Sequence, residues 1–485
     1  MRSSGAAVRD AAPNAALELG SEDMRELGYR VIDLLVEHWS TLRDQPAGRK
    51  TDRVTLEALL REAPPEVGRD PAAVLARLSR DVLDHMGRVH HPRFFAFVPS
   101  PSNFVSVLGD AIAAGTNVFA GTWLEASGPA MLEIVTVDWL RDLCGLPEGA
   151  GGLFVSGGSV ATLTALAVAR RARLADDVDG AVLYCSDQTH SAVDRALAVL
   201  GFEPEQLRRL PSDDGYRLPL DALVAAVAED RASGRRPFCV VANAGTTNTG
   251  AVDPLERLAD FCRNEDLWLH ADAAYGGAAA LCEQGRAALT GLARVDSLVL
   301  DPHKWLFQPY EIGCVLVRDR RLLPETFRVL PDYMRDVRGE EVNFADFGIQ
   351  LTRSFRALKL WLSIQIFGLA AFRAAVERGF ENAEVAEALL RESPVWEVVT
   401  PASLGIVTFR YAPRGVAAAV ADAVTAELAA AALADGFTMV SSTTLRGRVA
   451  LRICSINPRT TREDLSATIE RLAALATSLL PSRLT

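Results

Sequence analysis

The chain has 485 residues, 49% of them hydrophobic and 23% charged, and a formal net charge of -11. This length calls for two or three structural units. The acidic balance argues against a nucleic-acid partner, whose phosphates need a basic face. Seven cysteines run from Cys144 to Cys454 with no CxxC pair and no Cys/His ligand spacing, and His90 and His91 are merely adjacent. That pattern fits reduced thiols in a cytoplasmic protein, not a disulfide framework or a metal centre. The first 20 residues carry charge and lack a continuous apolar core, unlike a signal peptide. No window is read as the run of about 20 apolar residues that spans a bilayer, so no membrane partner is expected.

In chain order, residues 22–39 place Leu27, Val31, Leu34 and Leu35 at helical spacing. This predicts an amphipathic helix whose apolar face docks on its own chain or on another subunit. Pro64, Pro65 and Pro71 then interrupt the chain, and a helix over 72–86 leads into the aromatic patch HHPRFFAFVPS at 90–100. Six apolar runs follow, at 152–156, 181–186, 238–245, 267–275, 297–304 and 313–319. They are rich in Val and Leu and do not alternate strictly, as strands buried on both faces read. Helices predicted over 160–171, 220–233 and 255–264 separate several of them, which implies a mostly parallel α/β sheet. The last two runs lie too close for a helix between them, so one strand is expected to enter antiparallel. Residues 320–346 are charged, proline-broken and aperiodic, either a surface excursion or a lid. After Pro394, three short strands and an Ala-rich helix predict a separate small α/β unit.

Four strand ends carry groups with matching chemistry. Lys304, in Asp301-Pro302-His303-Lys304-Trp305, closes the run SLVL, where open α/β sheets bind ligands. Desolvation and cationic neighbours there are expected to lower the pKa of the amine and make it nucleophilic toward an aldehyde. A lone lysine would more plainly be read as reaching water. Asp272 ends LWLH, and a carboxylate in so apolar a setting needs a partner, either a helix N-terminus or the pyridine nitrogen of pyridoxal phosphate. Ser156-Gly157-Gly158-Ser159 lies between a strand and a helix, leaving backbone N–H groups for a phosphate. It matches neither GxGxxG nor a Walker A loop. His190 follows AVLYCS and is placed to stack on a flat ring or to cap a helix. His270 reads as a structural, hydrogen-bonded histidine. Thr246 and Thr247 end a further strand, where a hydroxyl would meet the cofactor.

With these segments in this order, the chain resembles the group II pyridoxal-phosphate decarboxylases, in particular the aromatic-L-amino-acid decarboxylases. The resemblance runs from about residue 24 to 464. It rests on HPRFFAFVPS, WLEASGPAMLEIVTVDWL, SGGSVATLTAL, SDQTHSAV, HADAAY, DPHKW, SFRALKLW and RICSINPRTT. It implies the fold type I architecture: a mostly parallel seven-stranded sheet, an N-terminal helical flap (1–102), a cofactor domain (103–365) and a small C-terminal α/β domain (366–485). It also implies an amino-acid substrate and a homodimer with active sites at the interface. Lys304 then matches the Schiff-base lysine, Asp272 the pyridinium partner and His190 the histidine over the ring. Gly158 and Ser159 match the phosphate pair, and Thr247, His303 and Asp301 flank the cofactor. Tyr333 matches the mobile-loop tyrosine that protonates the substrate carbon, and 320–346 becomes the catalytic lid. His90, Ser100, Gly121 and Thr352 match substrate-pocket positions. Gly121 replaces a bulky aromatic residue and Val89 a tryptophan, which implies a roomier or reshaped pocket. An acidic substrate, an oxidative aldehyde-forming reaction and a non-catalytic relative are the alternatives.

Overall fold

Eleven strands fall into two sheets among residues 17–329 and 339–480, which this computed structural model describes. The first sheet holds β1 (Gly151–Val155), β2 (Ala181–Ser186), β3 (Leu207–Leu210), β4 (Arg236–Asn243), β5 (Trp268–Asp272), β6 (Ser297–Leu300) and β7 (Gly313–Val317), in the order β1-β7-β6-β5-β4-β2-β3. Strands β3, β2, β4, β5 and β6 pair in parallel, and β7 runs antiparallel to both β6 and β1. Every residue of β1, β2, β6 and β7 is buried. Successive side chains enter opposite layers. Leu153 and Val155 meet Ala161, Ala165 and Val168 of the Gly158–Leu174 helix. Phe154 enters the layer that holds Leu223, Val227, Leu255 and Leu258 from the Leu220–Ala232 and Leu255–Asn264 helices. This two-sided burial is why the strands read as continuous apolar runs.

The seventh strand, β3, escapes that signature. Its sequence is LRRL, at the sheet edge, and its arginines pair outward, Arg208 with Asp230 at 2.8 Å and Arg209 with Asp194 at 2.6 Å.

The second sheet, β10-β11-β9-β8, is antiparallel throughout, with β8 (Trp396–Ser403), β9 (Ile406–Tyr411), β10 (Ser441–Leu445) and β11 (Arg448–Cys454). It carries one strand more than the sequence suggested, because β10 reads SSTTL and has little apolar content. The Ala418–Asp435 and Arg462–Leu479 helices cover it. Phe95, from the aromatic patch near residue 95, is wholly buried in this core; its N–H bonds Met439 O at 2.8 Å and its carbonyl accepts from Cys454 at 3.1 Å. Val98 of the same patch joins the core of the first sheet and Ser100 bonds His303 O, so the patch spans the two units.

The 36-residue helix Ala357–Glu392 joins the two units and is broken at Gly368, whose φ is 74°. The expected division at 365/366 thus falls inside this helix, three residues before its break. By length and composition the helix would cross a membrane, contrary to the sequence reading. It packs instead on the Phe104–Thr116, Trp123–Leu143 and Arg462–Leu479 helices and on β8. The Ser21–Ser40 helix forms as its periodicity predicts but buries none of its residues, leaving Met24, Tyr29 and Val36 exposed.

Candidate active site

The carboxyl ends of β1, β2, β4, β5 and β6 converge on a cavity of about 410 Å3. It is lined by Gly158, Ser159, His190, Thr247, Asp272, Asp301, His303 and Lys304, so one site collects eight of the residues singled out by sequence. In a mostly parallel sheet, strand ends with helix starts behind them leave such a crevice.

Lys304 follows β6 on a turn that buried aromatic packing holds in place. Trp305 is fully buried, stacks on Tyr275 at 5.4 Å and lies so close to Gly379 that a Cβ there would meet its ring at 2.7 Å. The Lys304 amine sits 3.0 Å from Asp301 Oδ2. Burial disfavours its ammonium form, but the carboxylates of Asp301 and Asp272 outweigh burial and hold the amine above its ordinary range. This corrects the expectation of cationic neighbours and a lowered pKa. The neighbours are anionic, so the amine is stored as an ammonium and must lose a proton before it attacks an aldehyde.

Asp272 accepts a 3.2 Å hydrogen bond from the N–H of Ala274 and also lines the cavity, so it starts the following turn and faces the site at once. His190 is likewise both things: its Nδ1 accepts from Ala192 N–H at 3.1 Å, which leaves the proton of the neutral ring on Nε2, and the ring is exposed to the cavity. At the other strand end, Val160 and Ala161 N–H both turn back to Gly157 O at 3.0 Å. The N–H groups of Gly158 and Ser159 have no backbone acceptor among the described residues. A Cβ on Gly158 would lie 2.7 Å from Asp301 Oδ2, so only glycine fits between this loop and the carboxylate. Asp301 Oδ1 is buried with no hydrogen-bond partner. Thr246 and Thr247 both line the cavity, and Thr246 Oγ1 is also engaged inside its own turn by Thr249 at 2.8 Å.

His303 is held from behind. Its Nδ1 donates to Ile312 O at 2.7 Å, and burial lowers its pKa, so the ring is neutral with Nε2 turned toward Asp301 at 3.7 Å. His270 is the structural histidine it was read to be, with Nδ1 2.9 Å from Ser297 Oγ.

Five residues expected at the substrate lie outside this cavity or outside the described residues. Ser100 is buried behind the site, its Oγ bonded to His303 O and to Gln308 O at 3.2 Å. His90 is turned away, with Nε2 2.7 Å from Ser102 Oγ and its ring 4.7 Å from that of Trp39. Thr352 lines a neighbouring cavity of about 600 Å3 with Phe119 and Tyr310. Gly121 opens no extra room: a Cβ there would meet the Phe119 ring at 2.6 Å and Leu351 O at 2.8 Å. The Phe119 ring already fills that space, which corrects the expectation of a roomier pocket at Gly121. Tyr333 lies outside the described residues.

Sequence reading passed over the layer beneath. Asn243, at the end of β4, bonds Ser186 Oγ at 3.1 Å, Thr189 Oγ1 at 3.2 Å and Asp253 Oδ2 at 3.0 Å, tying the His190 loop to the sheet. Asp253 also accepts from the N–H groups of Leu218 at 2.7 Å and Asn243 at 2.6 Å, and burial pushes its carboxyl up to about 6. Its signal was an aspartate amid apolar residues, the same one that marked Asp272.

Residues 55–412 match the family model described as the pyridoxal-dependent decarboxylase conserved domain. The chain belongs to the pyridoxal-dependent decarboxylases. An aromatic-L-amino-acid decarboxylase of Bacillus atrophaeus is 50% identical over 465 residues, 95% of this chain and 97% of its own. A tyrosine decarboxylase of Oryza sativa subsp. japonica is 37% identical over 82% of this chain and 79% of its own. The crystal structure of Oryza sativa TDC with PLP and tryptamine superposes with a TM-score of 0.90 at 30% identity, covering 96% of this chain and 99% of that one.

The residues of this decarboxylase fit its cofactor, pyridoxal phosphate. The N–H groups of Gly158 and Ser159, which have no backbone acceptor among the described residues, suit the phosphate. Asp272 is the carboxylate for the pyridine nitrogen, His190 the ring for stacking, and Lys304 the amine for the aldehyde. When bound, the cofactor supplies that aldehyde and a protonated ring able to take up the electron pair left by a departing carboxyl group.

Proposed function

We propose that this decarboxylase acts on aromatic L-amino acids, releasing carbon dioxide and the corresponding arylalkylamine. The observation that carries the reaction is the single cavity that brings Lys304, Asp272 and His190 together. The aromatic preference is supported by the Bacillus atrophaeus relative and by the aromatic lining, Phe119, Tyr310 and Phe355, of the adjoining cavity. Lys304 would hold the cofactor, and once the substrate amine takes its place it would be a free amine able to take up a proton between Asp301 and Asp272. Asp272 keeps a proton on the facing ring nitrogen, and His190 covers the ring. Tyr333 returns a proton to the carbon that lost its carboxyl group.

The active form in this reading is a homodimer with active sites at the interface. In support, the Ser21–Ser40 helix fully buries none of its residues, and Ile112, Leu351, Ile366 and Phe367 are all exposed. Apolar surface on this scale marks an interaction face. A cytoplasmic location is supported by seven free, buried cysteines.

The test is a panel of the twenty L-amino acids given to purified holoenzyme, with amine, carbon dioxide, ammonia and peroxide measured. Amine and carbon dioxide in equal amounts from aromatic substrates are expected. Turnover confined to acidic amino acids, or peroxide equal to carbon dioxide, would overturn the reading.

A further inference from the structure

Asp301 and His303 frame Lys304, and the proton count around them is short by one. Asp301 is 2% exposed, and its Oδ1 is buried with no hydrogen-bond partner. Its Oδ2 meets the Lys304 amine at 3.0 Å. The carboxylate has no room to turn toward another donor. The backbones of Gly158 and Gly313 close on it so tightly that a Cβ on either would stand 2.7 Å from one of its oxygens. Among the described residues, the Lys304 ammonium is therefore the one cation in contact with this buried charge.

His303 adds a vacant acceptor. Its Nδ1 stands 2.7 Å from Ile312 O, a carbonyl that only accepts, so Nδ1 carries the ring proton. Burial keeps a second proton off the ring. Nε2 therefore presents a lone pair, and it faces Asp301 Oδ2 at 3.7 Å. Two acceptors oppose each other with no proton between them, at a separation too long for a hydrogen bond. This arrangement suits Asp301 only while Lys304 is an ammonium. The lysine nitrogen must shed a proton to attack an aldehyde, and the carboxylate is then a buried charge without its cation. Such a charge neutralises.

We propose that Asp301 is a catalytic residue that takes the proton Lys304 sheds on attacking the cofactor aldehyde, holds it on Oδ2 against His303 Nε2, and returns it when the substrate amine frees Lys304. One N–H bond of Lys304 breaks and an O–H bond forms on Asp301. The freed electron pair makes the new carbon–nitrogen bond. The aldehyde oxygen leaves as water with the two protons left on the nitrogen, and the ion pair becomes two neutral groups. His303 acts through Asp301 and is a positioning residue. The other titratable groups around the pair are Asp272, Tyr310, Cys314 and Cys454, with Lys359 beyond His303. Burial holds both thiols and the phenol in their protonated forms. Asp272 serves the cofactor ring nitrogen, so Asp301 is the carboxylate left for this proton.

The test is the infrared difference spectrum of the enzyme with and without bound pyridoxal phosphate, at neutral pH, where an ordinary aspartate (pKa about 3.9) is ionised. The loaded wild type is expected to gain one carbonyl stretch of a protonated carboxyl group. That stretch should persist in Asp272→Asn, vanish in Asp301→Asn and rise in frequency in His303→Ala, where the acid loses its acceptor. If Asp301→Asn does not hold the cofactor, wild type grown with carboxyl-labelled aspartate decides: the stretch must move with the label. No stretch in the loaded wild type, one that ignores the label, one that survives in Asp301→Asn, or one unmoved in His303→Ala overturns the proposal. The proposal rests on Lys304 holding the cofactor, which the visible absorbance band of the same samples reports. A wild type without that band overturns the assignment of Lys304, a result distinct from a band without the stretch.

Discussion

The strand-end crevice and the N-terminal helix obey the same burial rule with opposite outcomes. In the crevice, Lys304, Asp272 and His190 project from strands whose other residues are packed on both faces, so the functional groups stand on a fixed base. The Ser21–Ser40 helix has an equally clear apolar stripe and fully buries none of it, leaving Leu27, Leu34 and Leu35 half-buried. Periodicity shows that a face must be covered but not by what. The sheet finds its cover within the chain, whereas the helix leaves Met24, Tyr29 and Val36 for a second surface.

Substitutions can break this contrast, and the largest effect lies in the crevice. Lys304→Ala should abolish the visible absorbance band of the bound cofactor and lower turnover by roughly 10^3-fold or more, as loss of a covalent nucleophile does. A variant that keeps both the band and full turnover would remove Lys304 from the site. Asp272→Asn should fold and bind cofactor but lose roughly 10^2–10^3-fold in kcat, the scale of one preorganised electrostatic group; steady-state kinetics on the amine product decide it. Beneath them, Trp305→Ala should cost about 3–5 kcal/mol, because a fully buried ring stacked on Tyr275 would leave a cavity. Denaturant unfolding measures that loss.

Asp253 tests the supporting layer through pH. Its carboxyl is held up at about 6 in the fold, above the ordinary 3.8, so the folded state favours the neutral form. Its contribution is complete below about pH 4 and is lost as pH rises through about 6. Asp253→Asn should therefore gain on the wild type over that window, by up to about 3 kcal/mol. Thermal unfolding of both proteins from pH 4 to 8 would show it, and parallel curves would refute it. The smallest effect is expected at the other pole of the comparison. Tyr29→Ser, at an exposed position, should change monomer stability by less than about 0.5 kcal/mol. In sedimentation equilibrium the same change should weaken self-association, and identical association would free this helix from the interface.

Much of the site was legible because strand ends punctuate apolar runs. A polar residue just past SLVL, LWLH or AVLYCS has nowhere to point but the crevice. The edge strand β3 and the strand β10 were not legible, since their arginines and threonines face outward and satisfy no apolar pattern. The environment of Lys304 was misread for a related reason. Which charges surround an amine depends on Asp301 folding back over three residues and Asp272 arriving from the next strand. Gly121 misled in the same way, its missing side chain replaced in space by Phe119.

The sequence by itself determined the two-faced sheet, the order of its functional strand ends and the family of the chain, because these follow from local periodicity and contiguous motifs. Only the tertiary structure decided the protonation of Lys304, the packing of Phe119 beside Gly121 and the network of Asn243 and Asp253 beneath the site. These depend on distances in space, between neighbours such as Asp301 and Lys304 as much as between distant residues such as Asp272 and Lys304, and electrostatics and packing are functions of distance.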